Sequence, residues 1–413
     1  MSVVAVSAAA LLLTGLGAAP ASAAPSPLVV GAERAVAAAR PGDVQSEPAA
    51  AWNGSEYYVV WSESGPSGPA LVYGARVSAW GTVLDAGGRL LSQSTNDSVH
   101  PRVTSGAGKF LVVWEDEPED DYSDLGAALV RGDGTVQKRW SMGGDNSQSH
   151  PDVAWNGQLF LAVWQDEPDP SNEDVYGARI TSDGLTLDGC SSDSCPNGDD
   201  TGIPIATNPG NEVLPAVAAS TGLFLVAWTD RTDPSHPLVR DTAVALNGSS
   251  LYQVGFDLSQ DPGNQSQVAL ARNAGTALFA WADLRSATSS DVFATTMKPG
   301  TEQSYDPTPV PATGFAVSSA PGDQTDPAIA RRAGAYLVAW TDTRGGTSDI
   351  YAARVGTAGA VFDAAGVPVA AGPRTERTAA LASAGAKILV TYVHDVLGST
   401  YGGRDRVFVR VLG

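Results

Sequence analysis

The stretch Pro151-Asp-Val-Ala-Trp-Asn-Gly157, followed by Phe160-Leu-Ala-Val-Trp-Gln-Asp166 and Asp174-Val-Tyr-Gly-Ala-Arg179, decides the fold, because the chain repeats it. A near copy reads Pro327-Ala-Ile-Ala330, Tyr336-Leu-Val-Ala-Trp-Thr-Asp342 and Asp349-Ile-Tyr-Ala-Ala-Arg354. An aromatic anchor closes the middle phrase at Trp61, Trp114, Trp164, Trp228, Trp281 and Trp340, with Tyr392 as a seventh variant. Self-similarity at a period of tens of residues marks a repeat architecture, in which each unit buries its apolar surface against its neighbours.

Each copy divides into four short strands. Strand A is the Pro-x-Val-Ala run, strand B the Leu-Val-x-Trp run, strand C the Asp-x-Tyr-x-x-Arg run, and strand D a Gly-x-x-Leu-Asp or Gly-x-Pro-Val run. Asn53-Gly54 and Asn156-Gly157 between A and B are hairpin signals, since both residue types accept positive φ. Four-stranded sheets repeated radially close into a ring. The expectation is an all-β, seven-bladed β-propeller with four antiparallel strands per blade.

The last copy lacks its strand D. The opposite end of the chain supplies a candidate: Pro41-Gly-Asp43 with Glu47-Pro48 parallels Pro321-Gly-Asp323 with Asp326-Pro327, which leaves a segment at about 27–39 to complete the last blade. Residues 24–413 are therefore expected to form a single domain, against the two or three domains that 413 residues suggest by length alone. Residues 1–23 read as a signal peptide: an apolar stretch runs into Ala21-Ser22-Ala23 and is too short for a membrane span. The expected location is extracellular, without membrane insertion and as a monomer. Cys190 and Cys195, close in sequence and even in number, are expected to pair as a disulfide on a surface loop.

The repeated phrases resemble those of large secreted bacterial proteins taken to be β-propellers. The resemblance covers residues 47–411 and implies fold and location, not chemistry. WD40, kelch and sialidase signatures do not recur.

Composition excludes some functions. With 45 acids against 25 bases the formal charge is −20, so no basic face is available for nucleic acid. About half of the acids fall between an anchor aromatic and the next strand C, on the face that carries the B–C and D–A loops. Two of these loops hold no base: Asp116, Glu117, Asp120 and Asp121 in the second repeat, and Asp166, Glu167 and Asp169 in the third. Clustered oxygens of this kind suit Ca²⁺, the one cofactor expected.

Features shared by most repeats read as structural, such as the anchor Trp and the Asp283/Arg285 and Asp342/Arg344 pairs. Function is sought where the symmetry breaks. The residue taken to precede strand A, at the entrance to the channel, is Glu47, His100, His150, Leu214, Gln267, Asp326 and Thr378 around the ring. Two of the four histidines thus stand in adjacent repeats beside a carboxylate, able to hold a transition metal or exchange protons. Glu47, His100, His150 and Asp326 are the ligand-binding candidates. The expected function is non-catalytic recognition of an extracellular carbohydrate or protein on the acidic face. The alternative is a polysaccharide hydrolase or lyase using carboxylates and the channel-mouth histidines.

Overall fold

The structure is a computed structural model that describes residues 26–37, 42–118, 122–143, 146–169, 172–189, 202–220, 222–261, 263–273, 275–301, 305–396 and 404–413. Asp169 is described in its backbone alone. The signal-peptide segment, Cys190, Cys195, Asp120 and Asp121 lie outside the described residues.

The described chain forms seven four-stranded antiparallel sheets in a ring, the expected seven-bladed propeller. After the short β1 (Arg34–Ala35), blade 1 holds β2 (Val44–Trp52), β3 (Glu56–Ser64), β4 (Leu71–Ser78) and β5 (Arg89–Leu90). Blade 2 holds β6 (Asp97–Gly106), β7 (Lys109–Glu117), β8 (Asp124–Arg131) and β9 (Val136–Met142). Blade 3 holds β10 (Ser147–Trp155), β11 (Phe160–Asp169), β12 (Asn172–Ile180) and β13 (Ile203–Ala206). Blade 4 holds β14 (Glu212–Ser220), β15 (Leu223–Asp230), β16 (Leu238–Ala245) and β17 (Phe256–Asp257). Blade 5 holds β18 (Gln265–Asn273), β19 (Thr276–Asp283), β20 (Asp291–Met297) and β21 (Val310–Ser318). Blade 6 holds β22 (Gln324–Arg332), β23 (Ala335–Asp342), β24 (Asp349–Gly356) and β25 (Val367–Ala370). Blade 7 holds β26 (Glu376–Ala384), β27 (Lys387–Asp395) and β28 (Asp405–Leu412).

β1 supplies the missing outer strand of blade 7. Arg34 pairs with Val409 and Ala35 with Phe408, while Val29 and Gly413 exchange backbone hydrogen bonds at 3.1 and 3.0 Å. Among the described residues no helix is long and apolar enough to cross a membrane.

The second strand of each blade is sandwiched between neighbouring sheets, so both its faces are dry and it reads as an unbroken apolar run. All eight residues of β15 and of β23 are buried. Seven cores fill the gaps between blades, and Tyr58 of blade 1 stacking on Phe110 of blade 2 at 4.8 Å is one such contact. Five of the six anchor tryptophans are fully buried and Trp114 is nearly so. The seventh anchor, Tyr392, is equally buried. At Gly255 and Gly366, which enter strand D with φ +71° and +70°, a Cβ would lie 2.5 Å from Trp228 and 3.0 Å from Trp340, so glycine is needed for closeness as well as for φ.

The recurring polar letters also find partners. The Gly-x-x-Leu-Asp run expected as strand D instead lies in the connection ahead of it, where its Asp is gripped by the Arg near the end of strand C: Arg179 holds Asp188 through two bonds of 2.7 Å ahead of β13, and Arg354 holds Asp363 likewise ahead of β25. The acid two places beyond the anchor accepts the indole N–H in blades 5 and 6, where Trp281 and Trp340 donate to Asp283 and Asp342 at 2.8 Å. Arg285 and Arg344 close on the same two carboxylates, as expected.

Candidate functional site

The seven residues expected to precede strand A lie inside it, and this corrects the sequence reading. The first strand starts three residues earlier in blades 1 to 3 and two residues earlier in blades 4 to 7, and its register shifts where this residue sits, for example between Ser46 and Ala49 and between Val99 and Arg102. Glu47, His100, His150, Leu214, Gln267, Asp326 and Thr378 all have φ between 49° and 57°. A β-bulge with a left-handed residue re-aims the side chain and bends the strand. Because Leu214 and Thr378 share the geometry, the bulge ring belongs to the architecture. What varies around it is the side chain each blade presents at the channel mouth.

Blades 1 to 3 bring Glu47, His100 and His150 side by side. The His100 ring places Nε2 2.9 Å from Glu47 Oε1 and Nδ1 2.8 Å from Glu115 Oε2. The His100 backbone N–H donates to the second Glu47 oxygen at 2.7 Å, and the His150 N–H donates to the second oxygen of Glu115. The two imidazoles stack with centroids 5.1 Å apart. Burial by itself lowers the His100 pKa, but the hydrogen bonds and charges of Glu115 and Glu47 outweigh it and raise it to about 10. Burial opposes ionisation of Glu115 and Glu47 too, and the same imidazole overcomes it, so both carboxyls titrate below the usual range. Burial pushes His150 down. At neutral pH His100 is a cation clamped between two anions, and His150 beside it is neutral.

Glu117, at the end of β7, joins this group from the solvent side. Burial and the charge of Glu115 raise its pKa. One ligand atom from each of His100, Glu115 and Glu117 lies within 4.8 Å of the others, and no other such group occurs among the described residues.

Below the mouth, two places on from the bulge, five blades carry alanine: Ala49, Ala216, Ala269, Ala328 and Ala380. Blades 2 and 3 carry Arg102 and Asp152 instead. Asp152 accepts the Val217 N–H of the next blade at 2.8 Å, and burial raises its pKa against the pull of the Arg102 charge. Together the first strands enclose a channel cavity of about 480 Å³, whose lining includes Pro48, Arg102, His150, Leu214, Asp326 and Thr378.

Asp326 does not join the histidines. It lies across the ring, where Gln267 donates to it at 2.5 Å and accepts its backbone N–H at 3.2 Å. Of the described acids in the loops of blades 2 and 3, Asp166 and Asp116 have separate partners. Asp166 is taken by Asn146 and Gln148 at 2.9 and 3.1 Å, and Asp116 faces Ser98 at 3.5 Å. Several acids counted toward one charged face are buried in pairs, among them Asp283, Asp342 and Asp230, which Arg240 meets at 3.0 Å.

Sequence reasoning missed Glu115, Arg102 and Asp152 as site residues. The signal was present. The position after the anchor is Ser62, Gln165, Thr229, Ala282, Thr341 and Val393 elsewhere, and blade 2 alone places an acid there.

No protein-family model and no curated protein matches the chain. Among solved structures, it is similar to a subtype N11 neuraminidase-like protein of A/flat-faced bat/Peru (H18N11), with 10% identity, TM-score 0.47 and coverage of 94% of this chain and 93% of that one. It is also similar to an α-L-arabinanase of Penicillium chrysogenum complexed with arabinobiose, at 12% identity and TM-score 0.46, over 76% of this chain and 92% of the other. A Trypanosoma rangeli sialidase in complex with 2,3-difluorosialic acid shows 9% identity and TM-score 0.46, over 79% of this chain and 56% of its own.

Proposed function

We propose that this chain is a secreted, non-catalytic binding module that takes an extracellular polysaccharide, neutral or amine-bearing, at the channel mouth. The observation that carries this reading is the saturation of the mouth. Both nitrogens of His100 and both oxygens of Glu115 are engaged by other groups of the protein, which holds the titratable set in place as a rigid receptor and leaves neither group idle for proton transfer. A concave polar opening above a channel fits a chain of sugars better than it fits a flat protein partner. The excess of carboxylates at the mouth favours hydroxyl and ammonium donors over polyanions.

One observation favours hydrolysis instead: Glu115 and Glu117 are neighbouring carboxyls with opposite pKa shifts, the pattern of an acid paired with a base. They are in direct contact, however, whereas catalytic carboxylates flanking a glycosidic bond stand roughly 5–9.5 Å apart. Ca²⁺ assistance through the acidic loops belongs to this proposal and is tested by melting with Ca²⁺ against EDTA, where an unchanged Tm removes it.

The deciding experiment passes the mature protein over immobilised polysaccharides and assays both retention and released sugar. Retention without product, lost in Asp326→Asn and Glu47→Gln, is the expected result. Product release would overturn the reading in favour of the enzyme.

A further inference from the structure

We propose that the same mouth holds one divalent transition-metal ion, bound by His100 Nδ1, Glu115 and Glu117, with His150 beside them as a second imidazole. The inference stands whether or not a polysaccharide binds.

The geometry of these groups fits a metal ion. His100 Nδ1 and Glu115 Oε2 are 2.8 Å apart, close to the ~3 Å edge that two adjacent ligands make around a metal at ~2.0–2.2 Å. The ion would take the place of the proton that now bridges them, and that proton would leave to solvent. Glu117 brings a third ligand atom within 4.8 Å of both and is exposed, so an ion can enter past it. His150 Nδ1 stands 3.8 Å from the other Glu115 oxygen.

The groups behind the ligands are also in place. Metal-binding imidazoles usually donate their second N–H to a carboxylate or carbonyl, which fixes the tautomer and raises ligand basicity. Here Glu47 lies 2.9 Å from His100 Nε2 and so provides that acceptor. Glu115 is oriented in turn by the His150 backbone N–H. Imidazole with carboxylates selects a borderline cation such as Zn²⁺ or Fe²⁺, while Ca²⁺ prefers oxygen alone.

The test uses the metal-stripped mature chain titrated with Co²⁺, whose visible d–d absorption reports nitrogen and oxygen ligation. One Co²⁺ per chain is expected, displaced by Zn²⁺ and not by equimolar Ca²⁺. His100→Gln and Glu117→Gln should each weaken binding at least ten-fold. His236→Ala, at an exposed histidine that pairs with Asp233 in the blade 4 loop, should leave it unchanged. Circular dichroism checks each variant, and if His100→Gln fails to fold, the solvent-side Glu117→Gln decides. Absence of a Co²⁺ spectrum, or equal affinity in the wild type and Glu117→Gln, would overturn the proposal.

Discussion

The clamp around His100 is where single residues decide most. A histidine near a carboxylate is common, but one held by two carboxylates from different blades behaves as a fixed cation. Its folded pKa of about 10 exceeds the ordinary 6.5, so its contribution to stability is fully present below pH 6.5 and is lost as pH rises through 10. Its partners Glu47 and Glu115 are shifted down, so their contribution is present above pH 4.5 and is lost on acidification. His100→Gln should therefore lower the melting temperature more at pH 6 than at pH 10, as read from thermal melts at both values. Glu115→Gln should cost about 2 kcal/mol in chemical denaturation at pH 7, the range for a hydrogen bond to a charged group. A cost independent of pH in the first case would remove the ion-pair account. The pattern of the repeat marked Glu47, His100 and His150 by position, and Glu115 only as the one acid directly after an anchor. The sequence placed His100 and His150 in adjacent blades, but nothing local showed that Glu115, on another strand, points between them.

At the scale of elements, the seams between blades carry the next set of consequences. In four blades the residue two places before the bulge is a glutamine that faces the acid beyond the anchor: Gln45 opposite Glu63, Gln148 opposite Asp166, Gln265 opposite Asp283 and Gln324 opposite Asp342. These glutamines are fully or almost fully buried. Gln45 donates to Glu63 at 2.7 Å, and its oxygen accepts the Val407 N–H of the preceding blade at 3.0 Å. Blade 4 has Glu212 opposite Asp230 instead. Burial and the charges of Asp230 and Asp174 raise the Glu212 pKa to about 8, so it serves near neutrality as a protonated stand-in for glutamine. Because the folded pKa lies above the ordinary 4.5, the stability this neutral form provides is intact below pH 4.5 and is lost as pH rises through 8. Glu212→Gln is expected to raise the melting temperature by roughly 2–4 °C at pH 9 and to change it little at pH 4. The anchors act at the same scale. Trp340→Ala opens a fully buried site between two sheets and should cost about 3–5 kcal/mol, measured by denaturant unfolding.

At the scale of the whole molecule, stability depends on a ring whose ends are far apart in sequence. Beyond the β1 pairing, Glu33 accepts the Tyr392 hydroxyl and lies 3.4 Å from His394 and 3.5 Å from Arg410. Tyr392 is the anchor that departs from tryptophan, and its hydroxyl is what reaches the closing segment. Burial opposes ionisation of Glu33, but His394, Tyr392 and Arg410 outweigh it and bring its pKa to about 2. The folded pKa is depressed, so this contribution is present above pH 4.5 and is lost as pH falls toward 2. Glu33→Gln should thus destabilise at pH 7, with the difference from wild type vanishing near pH 2 in paired thermal melts. A Glu33→Gln protein as stable as wild type at pH 7 would mean that the backbone pairing alone closes the ring.

Periodicity and turn chemistry by themselves determined the strand content, the seven blades and the closing segment, because each rests on a pattern local to a repeat. A two-residue alternation, an Asn-Gly turn and an anchor before an acid carry their meaning wherever the blade lies in space. The partners across blades came from the tertiary structure alone. Closing the ring brought Glu47, His100 and Glu115 together, sent Asp326 to Gln267 on the far arc, and buried acids that composition had counted as surface charge. Contacts between residues some fifty positions apart depend on ring curvature and on where the positive-φ bulges aim their side chains, and neither leaves a trace in a local pattern.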